Sequence, residues 1–149
     1  MIPTILLVED DESIPILVKH MLNKYFGVTL ELKVAKTLAD GLALAPQAVL
    51  ALLGLTLPPA GPQMALESIP EFAKHCPVVV FTGWEDSKPP YSSSVLVEAL
   101  EKGADSCVFK SMVFQAPGSN SDIWFMWVIQ SALHRWSRNK QVANANPTV

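Results

Sequence analysis

Four places in this sequence combine residue types that could handle a metal ion and a phosphoryl group. A short apolar run, Ile5-Leu6-Leu7-Val8, ends in four consecutive acids, Glu9-Asp10-Asp11-Glu12. A second run, from Val49 to Leu55, carries Gly54 near its end and is followed by Thr56. A third, Val78-Val79-Val80-Phe81, ends in Thr82-Gly83, and a fourth, Cys107-Val108-Phe109, ends in Lys110. Carboxylates are the hard oxygen ligands that Mg²⁺ takes. A hydroxyl can hydrogen-bond a phosphoryl oxygen, and an ammonium can pair with its charge. The four ends therefore read as acids, a gap, a hydroxyl and an ammonium.

The elements between these runs decide whether they can meet. Ile14, Leu17, Val18, Met21, Leu22 and Tyr25 recur at helical spacing, with Gly27 as a stop signal. Residues 29–34 alternate like a half-exposed strand, and Thr37 can cap a short helix that ends before Pro46. Residues 58–62 form a loop, and a helix through Ala65, Leu66, Ile69 and Phe72 follows, with Pro70 inside it. Residues 83–94 and 111–122 read as long loops, separated by a helix stopped at Gly103 and a last strand over 106–109. The longest helix opens at Asp122 and is expected to end near Arg138, leaving 1–138 as one domain and 139–149 as a loose polar tail. Five strands, each followed by a helix, predict a parallel sheet covered on both faces with right-handed crossovers. In such sheets the ligand site lies at the carboxyl ends of the strands, near a topological switch point. All four chemistry-bearing ends fall there.

Composition narrows the partners. A net charge of -3 with 17% charged residues leaves no basic footprint for nucleic acid or a polybasic membrane contact. Residues 41–61 are nearly all apolar, but Pro46, Gln47, Thr56 and Pro58-Pro59 break them up, so a buried strand is expected there rather than a membrane span. Cys76 and Cys107 lie in apolar runs without metal-ligand spacing, which fits buried thiols in a reducing compartment. No basic segment precedes the first strand, so a cytoplasmic location without a secretory leader is expected. His20, His75 and His134 carry no phosphotransfer signature and are expected on the solvated surface.

The four blocks, together covering about residues 4–138, resemble the response-regulator receiver domains of two-component signalling, the CheY-like fold. The resemblance implies a single doubly wound α/β domain with a five-stranded parallel sheet in flavodoxin-like order. It also implies a phosphoryl group passed from a partner histidine kinase to an aspartate. Carried over, Asp11 would ligate Mg²⁺ directly, Asp10 through water, and the Thr56 carbonyl would complete the set. Thr82 would bond the phosphoryl oxygen and Lys110 would pair with its charge. The departures matter more: Gly54 stands in the acceptor's place, Cys107 where an aromatic switch is common, and Ser111 where a proline usually follows the lysine.

The expected function is a stand-alone, phosphorylation-independent pseudo-receiver that acts through protein contacts. The alternative is an ordinary phosphorelay response regulator whose aspartate has been lost or mutated. The chain is not expected to be an enzyme. The adjacent acids do not match the spacing of haloacid-dehalogenase-like phosphatases, and an acidic loop after the first strand would repel a flavin's phosphate. No cofactor is required, and Mg²⁺ at Asp10, Asp11 and Thr56 is expected to be weak or absent. Otherwise the acids form a solvated loop that caps the first helix, and Lys110 partners them across the empty pocket. Trp124-Phe125-Met126-Trp127 cannot all face one sheet, since helical neighbours point about 100° apart. Trp124, Phe125 and Trp127 are therefore expected at an interface with a second copy, a histidine kinase or another signalling protein, the alternative being core covered by the loop over 111–122. No output domain is expected after Arg138, and so no DNA contact.

Overall fold

The computed structural model describes residues 2–57, 59–83, 91–113 and 121–145. Five strands alternate with helices: β1 Thr4–Val8, α1 Ser13–Phe26, β2 Glu31–Ala35, α2 Leu38–Leu44, β3 Ala48–Leu53, α3 Pro62–Ala73, β4 Val78–Thr82, α4 Tyr91–Glu101 and β5 Ser106–Phe109. A single helical turn, α5 Lys110–Val113, and the long α6, Ser121–Ala145, complete the order. All strands are parallel, in the order β2-β1-β3-β4-β5, so the doubly wound arrangement with its switch point between β1 and β3 is as the alternation implied.

Local chemistry explains the element ends. The Thr37 hydroxyl accepts the Asp40 amide at 3.1 Å and caps α2. Pro62 opens α3, where its missing N–H is no loss. Gly27, with φ of 65°, ends α1, and Gly103, with φ of 109°, follows α4, each in a conformation that other residues avoid.

The sheet is buried on both faces because side chains alternate along each strand. On one face Leu6, Val8, Leu53, Val78 and Val80 pack against Leu66, Ile69 and Phe72 of α3 and Val95 of α4. On the other Ile5, Leu7, Leu50, Leu52, Val79 and Phe81 meet Val18 and Leu22 of α1 and Phe125, Ile129 and Ala132 of α6. The central strands are thus apolar throughout except at Thr4 and Thr82 on their ends, which is why they read as unbroken runs.

Four boundaries differ from the sequence expectation, the first being that β3 ends at Leu53 rather than Leu55. The last helix continues past Arg138 to Ala145, so residues 139–145 are helical rather than a loose tail. No glycine or proline interrupts the stretch before Pro147, and its residues tolerate helix. Tyr91–Glu101 is helical where a loop to residue 94 was expected, and Lys110–Val113 is helical at the start of the second expected loop. Residues 84–90 and 114–120, the rest of those two loops, lie outside the described residues.

Candidate functional site

The carboxyl ends of β1, β3, β4 and β5 converge, and their register fixes who meets whom. Val8 pairs with Leu53 across β1 and β3, and the Gly54 amide donates to the Val8 carbonyl at 2.9 Å. Glu9 and Gly54 therefore face each other just beyond the ladder. Thr82 pairs with Phe109, which places Lys110 immediately beyond the end of β4.

Glu9 closes the pocket. Its amide still donates to Ala35 of β2 at 2.8 Å, so the backbone stays in the sheet one residue past the assigned strand. Its side chain is only 3% exposed, yet it is ionisable, and its charge is met by Lys110 with Oε2–Nζ at 2.7 Å. The other carboxylate oxygen accepts the Asp11 amide at 3.2 Å. A Cβ built on Gly54 would stand 3.1 Å from Glu9 Oε2 and 2.9 Å from the Val8 carbonyl oxygen. The Glu9 carboxylate thus lies against the space that a side chain at residue 54 would enter. A buried carboxylate is tolerated only when paired and hydrogen-bonded in this way.

This corrects the expected partner of Lys110, which is Glu9 rather than Asp10 or Asp11. Those two acids have left the sheet and are exposed. Asp11 Oδ1 accepts both the hydroxyl and the amide of Ser13, at 2.7 and 2.9 Å, and so serves the start of α1. The Ser13 bonds, with a smaller contribution from Lys110, hold the Asp11 carboxyl below its ordinary value. Thr56 is exposed beyond β3, while Thr82 is buried at the end of β4. The donors so placed do not suit Mg²⁺. Gly54 supplies no ligand, Glu9 is held by an ammonium, and Asp11 is turned into a helix start. Among the described residues no three acids, histidines or cysteines gather into a metal-binding cluster.

The aromatic helix splits its residues between core and surface. Phe125 is fully buried and stacks on Phe81, with ring centroids 4.9 Å apart and planes 17° from parallel. It is a core residue, which removes it from the expected interface set, because its direction on α6 points at the sheet. Trp127 is 63% exposed and Trp124 38%, with Ile123 exposed beside them. Trp127 borders a shallow cavity of about 300 Å³ with Gln130, Ser131, His134 and Arg135. Arg135 holds Asp105, just before β5, through Nε–Oδ2 at 3.0 Å and a second NH2–Oδ1 contact, so this stripe of α6 lies on the β5 side. His20, His75 and His134 are all exposed. Cys76 is buried, and burial pushes its thiol up to about 12, which makes it inert at neutral pH. No described helix is long and apolar enough to cross a membrane.

With the architecture and the strand-end cluster in place, the comparison with solved structures is direct: the fold is that of the response-regulator receiver domains. The signal receiver domain of a Luxo repressor protein from Vibrio parahaemolyticus superposes with a TM-score of 0.71 at 22% identity, over 95% of this chain and 98% of that one. A CheY-like receiver domain protein from Methanospirillum hungatei JF-1 gives 0.68 at 24% identity, over 93% and 99%. The beryllofluoride-activated NtrC4 receiver domain, solved as a dimer, gives 0.66 at 23% identity, over 89% and 98%. No family model matches the sequence, and no curated protein matches it significantly. The likeness is carried by the fold.

Proposed function

We propose that the chain is a receiver-like signalling module of the cytoplasm that works through protein contacts and without phosphorylation. One observation carries this reading. At the end of β3 Gly54 offers no nucleophile, and the adjoining space is taken by the Glu9 carboxylate already paired with Lys110. A phosphoryl group entering there would meet an anion instead of an acceptor, and its natural counter-ion would be engaged. The module needs no metal or other cofactor and catalyses no reaction of its own.

The contacts belong to the β5 side of α6, where Trp127, Trp124 and Ile123 are exposed. Large aromatics on a surface are favoured anchors for protein partners. A second copy or another signalling protein, a histidine kinase among them, would cover them.

Incubation with acetyl phosphate and Mg²⁺, followed by intact-mass measurement, tests the reading. No mass gain at any described acid of the pocket is the expected result. A stable phosphoryl adduct on Glu9, Asp10 or Asp11 would overturn it.

A further inference from the structure

We infer that the Glu9–Lys110 ion pair is an internal substitute for an external anion, and that its state is passed to the aromatic surface of α6 through Phe81 and Phe125. The inference rests on the reading that the pocket works without phosphorylation and adds how it is regulated. Three contacts form an unbroken series. Glu9 Oε2 holds Lys110 Nζ at 2.7 Å. The same ammonium stands 5.9 Å from the centroid of Phe81, within the range of a cation–π contact. Phe81 in turn stacks on Phe125 at 4.9 Å, and Phe125 lies on α6 between Trp124 and Trp127.

Lys110 also begins α5, whose Val113 is buried in the same core cluster as Phe81 and Phe125. Pulling Lys110 toward or away from β1 therefore moves a turn of backbone against the base of α6. Close-packed interiors transmit such shifts because they leave little room to absorb them. The carboxylate at residue 9 fixes the ammonium, the ammonium stands over the Phe81 ring, and Phe125, stacked on that ring, shares one turn of α6 with Trp124 and Trp127. A partner or modification acting at either end is thereby felt at the other.

The test follows the indole N–H resonances of the intact chain, each assigned by a Trp→Phe replacement. Glu9→Gln keeps the volume and removes the charge, while Lys110→Met removes the ammonium. Both should shift the Trp124 and Trp127 signals in the same direction. Trp136 is the internal control, about 16 Å along the helix from Phe125 at about 1.5 Å per residue, and it should stay in place. In a Phe81→Leu background Glu9→Gln should cause no further movement. In the Glu9→Gln/Gly54→Asp double variant, the carboxylate returns from the β3 side and the wild-type positions should return with it. Unmoved Trp124 and Trp127 signals in both single variants overturn the inference, as does equal movement of Trp136. Unfolding of both single variants also overturns it, since the pair would then be a structural requirement with no switchable state. Phosphorylation is scored separately by mass, so a phosphoryl adduct sinks the function proposed above, whereas silent indoles with no adduct sink only the relay.

Discussion

Glu9 Oε2 lies 2.7 Å from Lys110 Nζ and 3.1 Å from the point where a Cβ on residue 54 would stand. The absence of a side chain at Gly54 and the burial of a carboxylate at Glu9 are therefore one feature. Each residue is suited to the other's choice, and the lysine serves both.

Breaking the pair should be costly. Removing one partner of a buried ion pair strands the other, typically at about 3–5 kcal/mol. The Lys110 side chain retains 18% exposure, which lets water reach the pair. Urea unfolding should accordingly place Lys110→Met near the lower end, at a loss of about 3 kcal/mol. The double variant Glu9→Leu/Lys110→Met should recover most of that loss. A double variant no better than the single one would mean that the charge is not what makes Lys110→Met destabilising.

Filling Gly54 should also destabilise. The Cβ of Gly54→Ala meets the Val8 carbonyl oxygen at 2.9 Å, and backbone cannot swing aside as a flexible side chain does. A loss of about 1–3 kcal/mol is expected, as for other overpacked sites. Gly54→Asp adds a second carboxylate beside Glu9, so its melting temperature without metal should fall below that of Gly54→Ala. Excess Mg²⁺ should raise the melting temperature of Gly54→Asp by mass action and leave the wild type unmoved. Calorimetric scans of the three proteins with and without Mg²⁺ decide the matter.

Acid should loosen the α1–α6 junction. The Asp122 carboxylate accepts from Tyr25 Oη at 2.9 Å and Lys24 Nζ at 3.3 Å. The Tyr25 bond first, and the Lys24 bond after it, hold the Asp122 carboxyl below its ordinary value. A depressed carboxyl favours the folded state above its unfolded pKa, about 3.9, and loses that contribution as pH falls through the folded value. Asp122→Asn should thus melt below wild type at neutral pH. The gap should narrow below about pH 4 and close at still lower pH. A gap that stays constant down to pH 2 would count against this account.

The aromatic residues of α6 should separate by phenotype. Phe125→Ala removes a fully buried ring and its stack on Phe81, for an expected loss of about 3–5 kcal/mol. Trp127→Glu alters an exposed position, so stability should stay within about 0.5 kcal/mol of wild type. If a second copy covers Trp127, sedimentation at rising concentration shows association in the wild type and its loss in Trp127→Glu. Acrylamide should quench Trp127 readily in the monomer, and resistance to quenching there would mean that it is covered from within.

The sequence by itself determined the layered parallel architecture, because a strand buried on both faces must be apolar throughout and an amphipathic helix must show its stripe. It also named Gly54, Thr82 and Lys110, since each lies at or near the end of an apolar run and such an end is visible in one dimension. What it did not determine was which of four consecutive acids turns inward. That depends on how far the hydrogen-bond ladder continues beyond the apolar residues. The Glu9 amide bonded to Ala35 of β2 keeps Glu9 in the sheet, while Asp10 and Asp11 leave it. Likewise the surplus of aromatic residues in Trp124-Phe125-Met126-Trp127 was legible, but not its division. Only the docking of α6 on the sheet chose Phe125 for the core and left Trp127 in solvent, because helix rotation is fixed by packing against Phe81 and not by composition.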